Sequence, residues 1–529
     1  MSRKQTSIRG AGPHQPRQGV LDWLYRPVDS SSLVVLRIIF GALIATLAVR
    51  LFVSGDFDRL YLAQTIRFKY PLLGWLPDPS PAAFRVVLAI SGVSGFLIAI
   101  GLTYRWACTA FFLSWSYVFF VDFTPYQNHD YLICLLGFLF LLMPLNRTAS
   151  VDVWLRPGIR LETIPAWCLY ILRFQISVVY LFGGIRKLNP DWLQGEPIRM
   201  MLHTKAFEHP FLGRWFFEEP LVMAFAWGGL LFDLAIVPAL LWRRTRVAAF
   251  VVVLLFHLMN ALLWDIDVFP WFMIGATLLF FPPEYPRRIV AKLRGSKAPI
   301  AAPQAPGPNQ HTQKALAVLL AVYVAIQVAL PCRPFMHPGH PLEQPDLLVF
   351  SWNMMLRVDS TQARFVVVDN DTRETWKVEA SEVLSKFQMG QLGSPDALHQ
   401  IAQRLSRARR REGRRKVSVF AHVRQSVHGR AWQIAVNPAV DLATMPRTIG
   451  VKPWVLPFET RVPPDPSART AFAKAEWEFC RREGFLPLQK KGAANPEIVA
   501  RVRAWEAEHQ ASDSNEAGLA DTRAPDPND

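Results

Sequence analysis

The chain has 529 residues, 51% of them hydrophobic, and a formal net charge of +16, which is material for two or three domains. Its apolar residues crowd into runs of about 18–22 between Ser32 and Leu330, enough to cross the hydrocarbon core of a bilayer. That pattern excludes a soluble globule, and five irregularly spaced cysteines exclude a disulfide-built scaffold.

The expected fold is a polytopic α-helical membrane protein of about nine spans with a C-terminal α+β domain on the outer, periplasmic or lumenal, face. Residues 1–31 are polar and basic and lack an apolar stretch followed by a small-residue cleavage site, so a cytoplasmic N-terminal segment without a removable signal is expected. Residues 32–330 form the membrane domain, with spans at 33–52, 84–103, 107–121, 131–143, 164–182, 221–241, 247–263, 269–281 and 315–330. With the N-terminus inside, the inner loops collect Arg3, Lys4, Arg9, Arg17 and Arg26, then Arg105, then Arg147, Arg156 and Arg160. They also collect Arg243, Arg244 and Arg246, and finally Arg287, Arg288, Lys292, Arg294 and Lys297. This asymmetry explains much of the basic charge without nucleic acid as a partner.

Residues 298–313 read as an inner linker of low complexity. Residues 331–460 are expected to form the outer α+β domain. Within it, 365–369 and 375–379 form a hairpin through Asn370-Asp371-Thr372, 397–411 is helical, and 417–423 and 431–436 are strands. Residues 461–529 complete the chain as a helix at 468–482 and a disordered tail at 511–529. Cys332 and Cys480 lie outside the spans and could pair.

The stretch Gly183-Gly184-Ile185-Arg186-Lys187-Leu188-Asn189-Pro190-Asp191-Trp192 closes the fifth span. Its glycines let another backbone or a flat ligand approach, and Asn-Pro stops the helix. Lys187 stands where membrane meets water. Such a lysine either snorkels as an anchor or, if desolvated, serves as a base. Asn128-His129-Asp130-Tyr131 opens the fourth span, and His257 and Asn260 share one face of the seventh. Each can be a satisfied core group; together, at one depth, they make a candidate functional interior. Arg173 and Asp233 sit deeper and are expected to neutralise each other as a register-fixing pair. Asp265 and Asp267 read as interfacial acids, and the basic run 404–416 as a solvated loop or a site for an acidic peptide or lipid headgroup. No P-loop, HExxH, dinucleotide fingerprint or metal-type cluster is present.

Several motifs together resemble the vitamin K-dependent γ-glutamyl carboxylases. Tyr180-Leu181-Phe182-Gly183-Gly184 through Lys187-Leu188, Trp192 and Gly195 is similar to that family's tyrosine, glycine, lysine-leucine, tryptophan, glycine signature. Asn128-His129-Asp130-Tyr131-Leu132 resembles its Asn-His-x-Tyr-Leu. Phe256-His257 with Met259-Asn260, then Phe269-Pro270, resembles its membrane histidine segment. Phe350-Ser351-Trp352-Asn353-Met354-Met355 resembles its aromatic-Ser-Trp-Asp-Met-Met, and Asn437-Pro438-Ala439-Val440-Asp441 its Asp-Pro-x-Val-Asp. The order matches from about Pro27 to Phe458. Three positions depart: Arg186 replaces the lysine usual before the base, Asn353 stands for aspartate, and Arg357 falls near the place of a histidine.

The resemblance implies an integral membrane enzyme, a carbon-carbon lyase that uses a reduced vitamin K of menaquinol or phylloquinol type, O2 and CO2, without a metal. In that chemistry a lysine deprotonates the hydroquinone, oxygen adds, and the resulting strong base strips a glutamate proton so that CO2 can be captured while the quinone leaves as its epoxide. Lys187 matches the base, and His129 and Asn128 match groups that contact the quinol and its oxyanion. His257 and Asn260 match the membrane core, and Trp352, Met354 and Met355 a lid over the ring. The implied partners are membrane lipid, the quinol and a Glu-containing secreted polypeptide. The resemblance extends to bacterial members of the horizontally transferred transmembrane domain group, which implies a bacterial inner membrane. Two alternatives stay open: a quinol epoxidase without protein carboxylation, and a non-catalytic membrane maturation protein.

Overall fold

A computed structural model describes residues 19–264, 266–296, 309–337, 341–460, 463–486, 500–505 and 507–508. The tail 511–529, most of the linker 298–313, Asp265, Lys297 and the basic residues Arg3 to Arg17 lie outside the described residues. All nine expected spans are helical: α1 (Ser31–Val53), α2 (Pro81–Ile100), α3 (Tyr104–Val121), α4 (Asn128–Leu142) and α5 (Ala166–Lys187), then α7 (Glu219–Leu241), α8 (Arg246–Leu263), α9 (Phe269–Thr277) and α10 (Gln310–Cys332). Between α5 and α7 lies the amphipathic α6 (Glu196–Ala206). Among the described residues six helices are long and apolar enough to cross a membrane: α1, α2, α5, α7, α8 and the helix that begins at Gln310. Asn128–Leu142 and Phe269–Phe280 are apolar but shorter. Val93, Leu255 and Val322 are 60%, 62% and 51% exposed on three different helices, as lipid-facing residues would be. The protein is a polytopic helical membrane protein with a C-terminal α+β region.

The molecule divides into two compact units. The first comprises Met1–Tyr180 and Ile236–Met336, the second Leu181–Ala235 and His337–Asp529.

Local chemistry sets the helix limits in the first unit. Ser80 Oγ accepts from the Ala83 N–H, Pro81 takes the first helical position, and Gly101 ends α2 in the left-handed region at φ 68°. Helices α1 and α2 cross closely, since a Cβ on Gly41 would lie 2.4 Å from the Gly95 carbonyl oxygen. Phe40 packs edge-on against Phe111, Phe140 and Phe272, which joins α1 to α3, α4 and α9. The fully buried Arg37 donates to the carbonyls of Leu145, Ala99 and Ala149 and so serves loop backbone that would otherwise be unsatisfied. A small antiparallel pair, β1 (Pro27–Asp29) with β2 (Thr163–Pro165), leads into α5.

The second unit carries a four-stranded antiparallel sheet in the order β4-β3-β5-β6, made of β3 (Asp359–Asp369), β4 (Thr375–Glu379), β5 (Val417–Val427) and β6 (Gln433–Ile434). The hairpin lies where expected, with Val368 opposite Thr375. The last strand is shorter than expected, two residues, and Val436 makes an isolated bridge to Val455 instead. Helix α11 (Pro395–Arg411) lays its apolar face on the sheet, and α12 (Ser467–Arg482) packs against α6 through the Trp477 indole N–H on the Ala206 carbonyl. The run 404–416 is neither wholly solvated nor free: Arg409 lies 4.4 Å over the Trp376 ring, and Arg414 bridges Asp369 and Glu374. All five cysteines are free thiols.

Candidate functional site

Helix α5 runs on to Lys187, and Asn189 caps the turn Pro190–Leu193 that follows by accepting from the Trp192 N–H. The Lys187 side chain does not reach for water. Only 7% of it is exposed, its ammonium is hydrogen-bonded to Asp233 Oδ2 on α7, and the Trp192 ring centre lies 5.0 Å away. Glycines make this pairing possible. A Cβ on Gly184 would lie 2.7 Å from Leu234 Cδ2, and one on Gly183 would lie 3.1 Å from Asp233 Oδ2. The helices therefore approach near enough for the short aspartate to span the gap. Trp192 fixes the far side by donating its indole N–H to the Ala226 carbonyl at 2.8 Å.

The segment Phe350–Met355 belongs to the same unit and closes over this end of α5. A Cβ on Gly183 would also lie 2.8 Å from Met354 Cε, and Arg186 Nε donates to Asn353 Oδ1 at 2.8 Å. Asn353 in turn donates to the Leu348 carbonyl. Phe350, Trp352 and Met355 hold φ of 63°, 57° and 59°, a left-handed conformation that costs bulky residues of order 1–3 kcal/mol each and persists only where surroundings enforce it. Trp352 is buried to 1% exposure.

Below Lys187 the chain is anchored by charge. Asp191 is fully buried; it accepts from His428 Nδ1 at 2.5 Å and takes both terminal nitrogens of Arg430 at 2.8 and 2.9 Å. Burial pushes this carboxyl up, but the hydrogen bonds from His428 and Arg430 and their charge outweigh it and hold it down at about 2. The network continues: Arg469 donates to the His428 carbonyl and to Glu196, and Arg199 joins Glu196 to Glu219. Gly429 must be glycine, since a Cβ there would lie 1.0 Å from an Arg469 nitrogen and its φ is 72°. On α6, burial outweighs the other influences on His203 and lowers it to about 4.

The other expected residues form their own cluster in the first unit. His257 on α8 is buried, and its Nε2 shares a hydrogen bond of 2.9 Å with the Tyr180 hydroxyl on α5. Phe269 at the start of α9 stands between two histidines, its ring centre 6.0 Å from that of His129 and 6.1 Å from that of His257. Asn128 accepts from the Tyr126 hydroxyl at 3.1 Å, and Asn260 is buried one turn beyond His257. Three helices, with Phe269 from a fourth, thus bring together Asn128, His129, Tyr180, His257 and Asn260. Among the described residues no group of three or more His, Cys, Asp or Glu side chains could hold a metal ion.

One expectation is overturned. Arg173 does not neutralise Asp233; its guanidinium donates to the carbonyls of Leu279 at 2.7 Å and Phe281 at 3.1 Å, beyond the end of α9. Carbonyls at a helix C-terminus lack intrahelical partners and carry negative potential, so a cation there needs no carboxylate. Lys187, about four turns further along α5, takes Asp233 instead. Asp267 is ion-paired with Arg50. The motif Asn437–Asp441 is a turn that finishes the sheet: Asp441 accepts from the Val419 and Ala443 N–H groups and Asn437 from that of Ala439. His428 and Arg430 carry no signal as site residues, because each is read only through a partner distant in sequence, and Asp233 stands out only as an intramembrane acid whose partner is Lys187 and not Arg173.

Residues 25–285 match the HTTM domain family. Residues 312–461 match the family described as vitamin K-dependent gamma-carboxylase, lumenal domain. The chain belongs to the vitamin K-dependent γ-carboxylase family. No solved structure matches it significantly. The two matches follow each other in the order of the motifs, with residues 286–311 between them, and the second covers Phe350–Met355 as well as Asp441.

Against the carboxylase motifs, two of the departures touch. Arg186 and Asn353, both departures, are hydrogen-bonded to each other in this carboxylase-family chain. The contact joins the residue beside Lys187 to the Phe350–Met355 segment through a charge-assisted hydrogen bond. The third departure, Arg357, is occupied with structure, donating to Asp359 and to the Leu342 carbonyl.

Proposed function

We propose that this membrane protein is a γ-glutamyl carboxylase that oxygenates a reduced naphthoquinone to its epoxide and couples this to CO2 addition on glutamate side chains of a secreted polypeptide. The observation that carries the reading is Lys187, buried at the end of a membrane helix, its amine turned into the protein, with Met354 of the lid segment packed on the same helix turn. In this reading Lys187 takes the hydroquinone proton. His129, Asn128, His257 and Asn260 form their own cluster in the first unit, for which the resemblance implies quinol contacts. Trp352, Met354 and Met355 exclude water from the ring. The bound hydroquinone supplies the oxygen chemistry that makes a base strong enough to deprotonate glutamate. Residues 32–330 act as the membrane catalytic domain and 331–460 as its outer domain, with 1–31 in the cytoplasm of a bacterium, 331–460 in the periplasm, and 461–529 a helix and tail.

The test uses purified protein in lipid with reduced menaquinone, oxygen, a glutamate peptide and labelled bicarbonate, against Lys187→Ala. Epoxide and fixed label, both lost in the variant, are expected. Epoxide without label in any peptide would reduce the protein to a quinol oxygenase. No epoxide from folded, quinol-binding protein would refute the reading.

A further inference from the structure

Lys187 poses a problem of proton accounting. In water a lysine holds its proton at neutral pH, and an ammonium already paired with a carboxylate has still less reason to release it. Yet a base must offer a free amine. The groups that face Lys187 are few. On its own helix, Arg186 donates to the neutral Asn353. From the following turn come Trp192, by its ring face, and Asp191, whose charge is taken by His428 and Arg430. From the lid segment comes Met354, near the neighbouring Gly183, and from α7 comes Asp233, in direct contact with the amine. Asp233 is itself only 3% exposed.

We propose that Asp233 is the proton store of Lys187, the two forming a dyad that holds one proton and hands it across during the cycle. Burial penalises both charges of the pair, while moving one proton from the ammonium to the carboxylate leaves two neutral groups and removes both penalties. The balance is simple. The Lys187 N–H bond breaks and an O–H bond forms on Asp233. The free amine then takes the hydroxyl proton of the quinol, breaking its O–H bond and re-forming N–H. The site ends with an ammonium facing the hydroquinone oxyanion and a neutral carboxylic acid behind it, and no electron has moved. The Arg186 guanidinium, adjacent to Lys187 in the chain, favours the neutral amine in the first step and the oxyanion in the second. Asp233 touches the reacting nitrogen and is a catalytic residue in this sense. The inference rests on the quinol reading above.

Infrared difference spectroscopy decides it without turnover. Wild-type protein in lipid is titrated with reduced menaquinone in the absence of oxygen, while absorbance reports the deprotonated hydroquinone. The dyad is supported if the anion forms together with a protonated-carboxyl stretch of about one group per chain, shifted in D2O and by carboxyl-labelled aspartate, and absent from Asp233→Asn. The aspartate label assigns the band even if that variant does not insert. Anion without the band overturns the dyad and leaves Asp233 a register partner. No anion in folded wild-type protein refutes the quinol reading itself, a different result. In turnover, Asp233→Asn is expected to move the acid limb of the pH–rate profile down by about one unit or more, as expected for loss of a charge in contact, while Asp233→Glu keeps the wild-type profile. An unmoved profile in an active Asp233→Asn protein counts against the dyad.

Discussion

Replacing Asp191 by asparagine should loosen the second unit more than any other single-atom change near Lys187. The carboxylate holds three hydrogen bonds to His428 and Arg430 at zero exposure. An asparagine would keep one acceptor and turn an N–H2 toward the Arg430 donors. Two estimates bracket the cost. The carboxyl is depressed from 3.8 to about 2, which converts to about 2.5 kcal/mol of stability. Stranding a buried arginine costs more, about 3–5 kcal/mol. We take about 3 kcal/mol, which for a domain of this size lowers Tm by about 10 °C. Cys480 offers a local reading, since it is buried, free and carried by α12, whose Arg469 reaches the His428 carbonyl. A cost of about 3 kcal/mol raises its exposure to a thiol reagent about a hundredfold, while the buried membrane thiols Cys108, Cys134 and Cys168 stay protected. The sign of the pH effect follows from the depressed pKa. The stabilisation is complete above the ordinary carboxylate range, near pH 4, and is lost as pH falls through about 2. Wild type and Asp191→Asn should therefore converge in that acid window. A variant that labels at Cys480 within twofold of wild type, with unchanged Tm, would refute this account of the network.

The remaining expectations concern the lid. Gly183→Ala places a methyl 2.8 Å from Met354 Cε and 3.1 Å from Asp233 Oδ2, an overpacking of about 1–3 kcal/mol that should cut epoxide formation; Met354→Ala in the same chain should recover part of it, and equal activity in single and double variants would argue against the contact. Asn353→Asp places a negative charge on the Arg186 contact, next to Lys187 in the chain, and should move the acid limb of the pH–rate profile up by about one unit, read by epoxide assay across pH.

Much of this was legible in the sequence, and the rest failed for physical reasons. The nine helices could be read because lipid forces long apolar runs, and the sheet because β3 and β5 alternate buried and exposed residues. The last strand is shorter than its propensity: 431–436 favours a strand, but pairing to β5 extends over only two residues. Arg173 and Asp233 balance as side-chain charges in the sequence, whereas in the fold helix-end carbonyls accept the Arg173 cation. His428 and Arg430 stood in an ordinary strand end and turn; nothing local distinguishes a cation that will bury against an acid some 237 residues away.

The geometry also bears on the choice between anchor and base with which Lys187 began. Snorkelling requires the amine to leave the apolar layer, and here it turns inward to a carboxylate. The anchor is thus replaced by a buried ion pair, and such a pair is a poor source of stability, since apolar residues of equal volume commonly hold helices as well or better. What it does provide is two groups that exchange a proton within a desolvated contact. The glycines that let Asp233 reach Lys187 also admit Met354 onto the same turn, so the acid, the amine and the lid share one gap only because Gly183 and Gly184 carry no side chains. A helix end built to be stable alone would fill that gap.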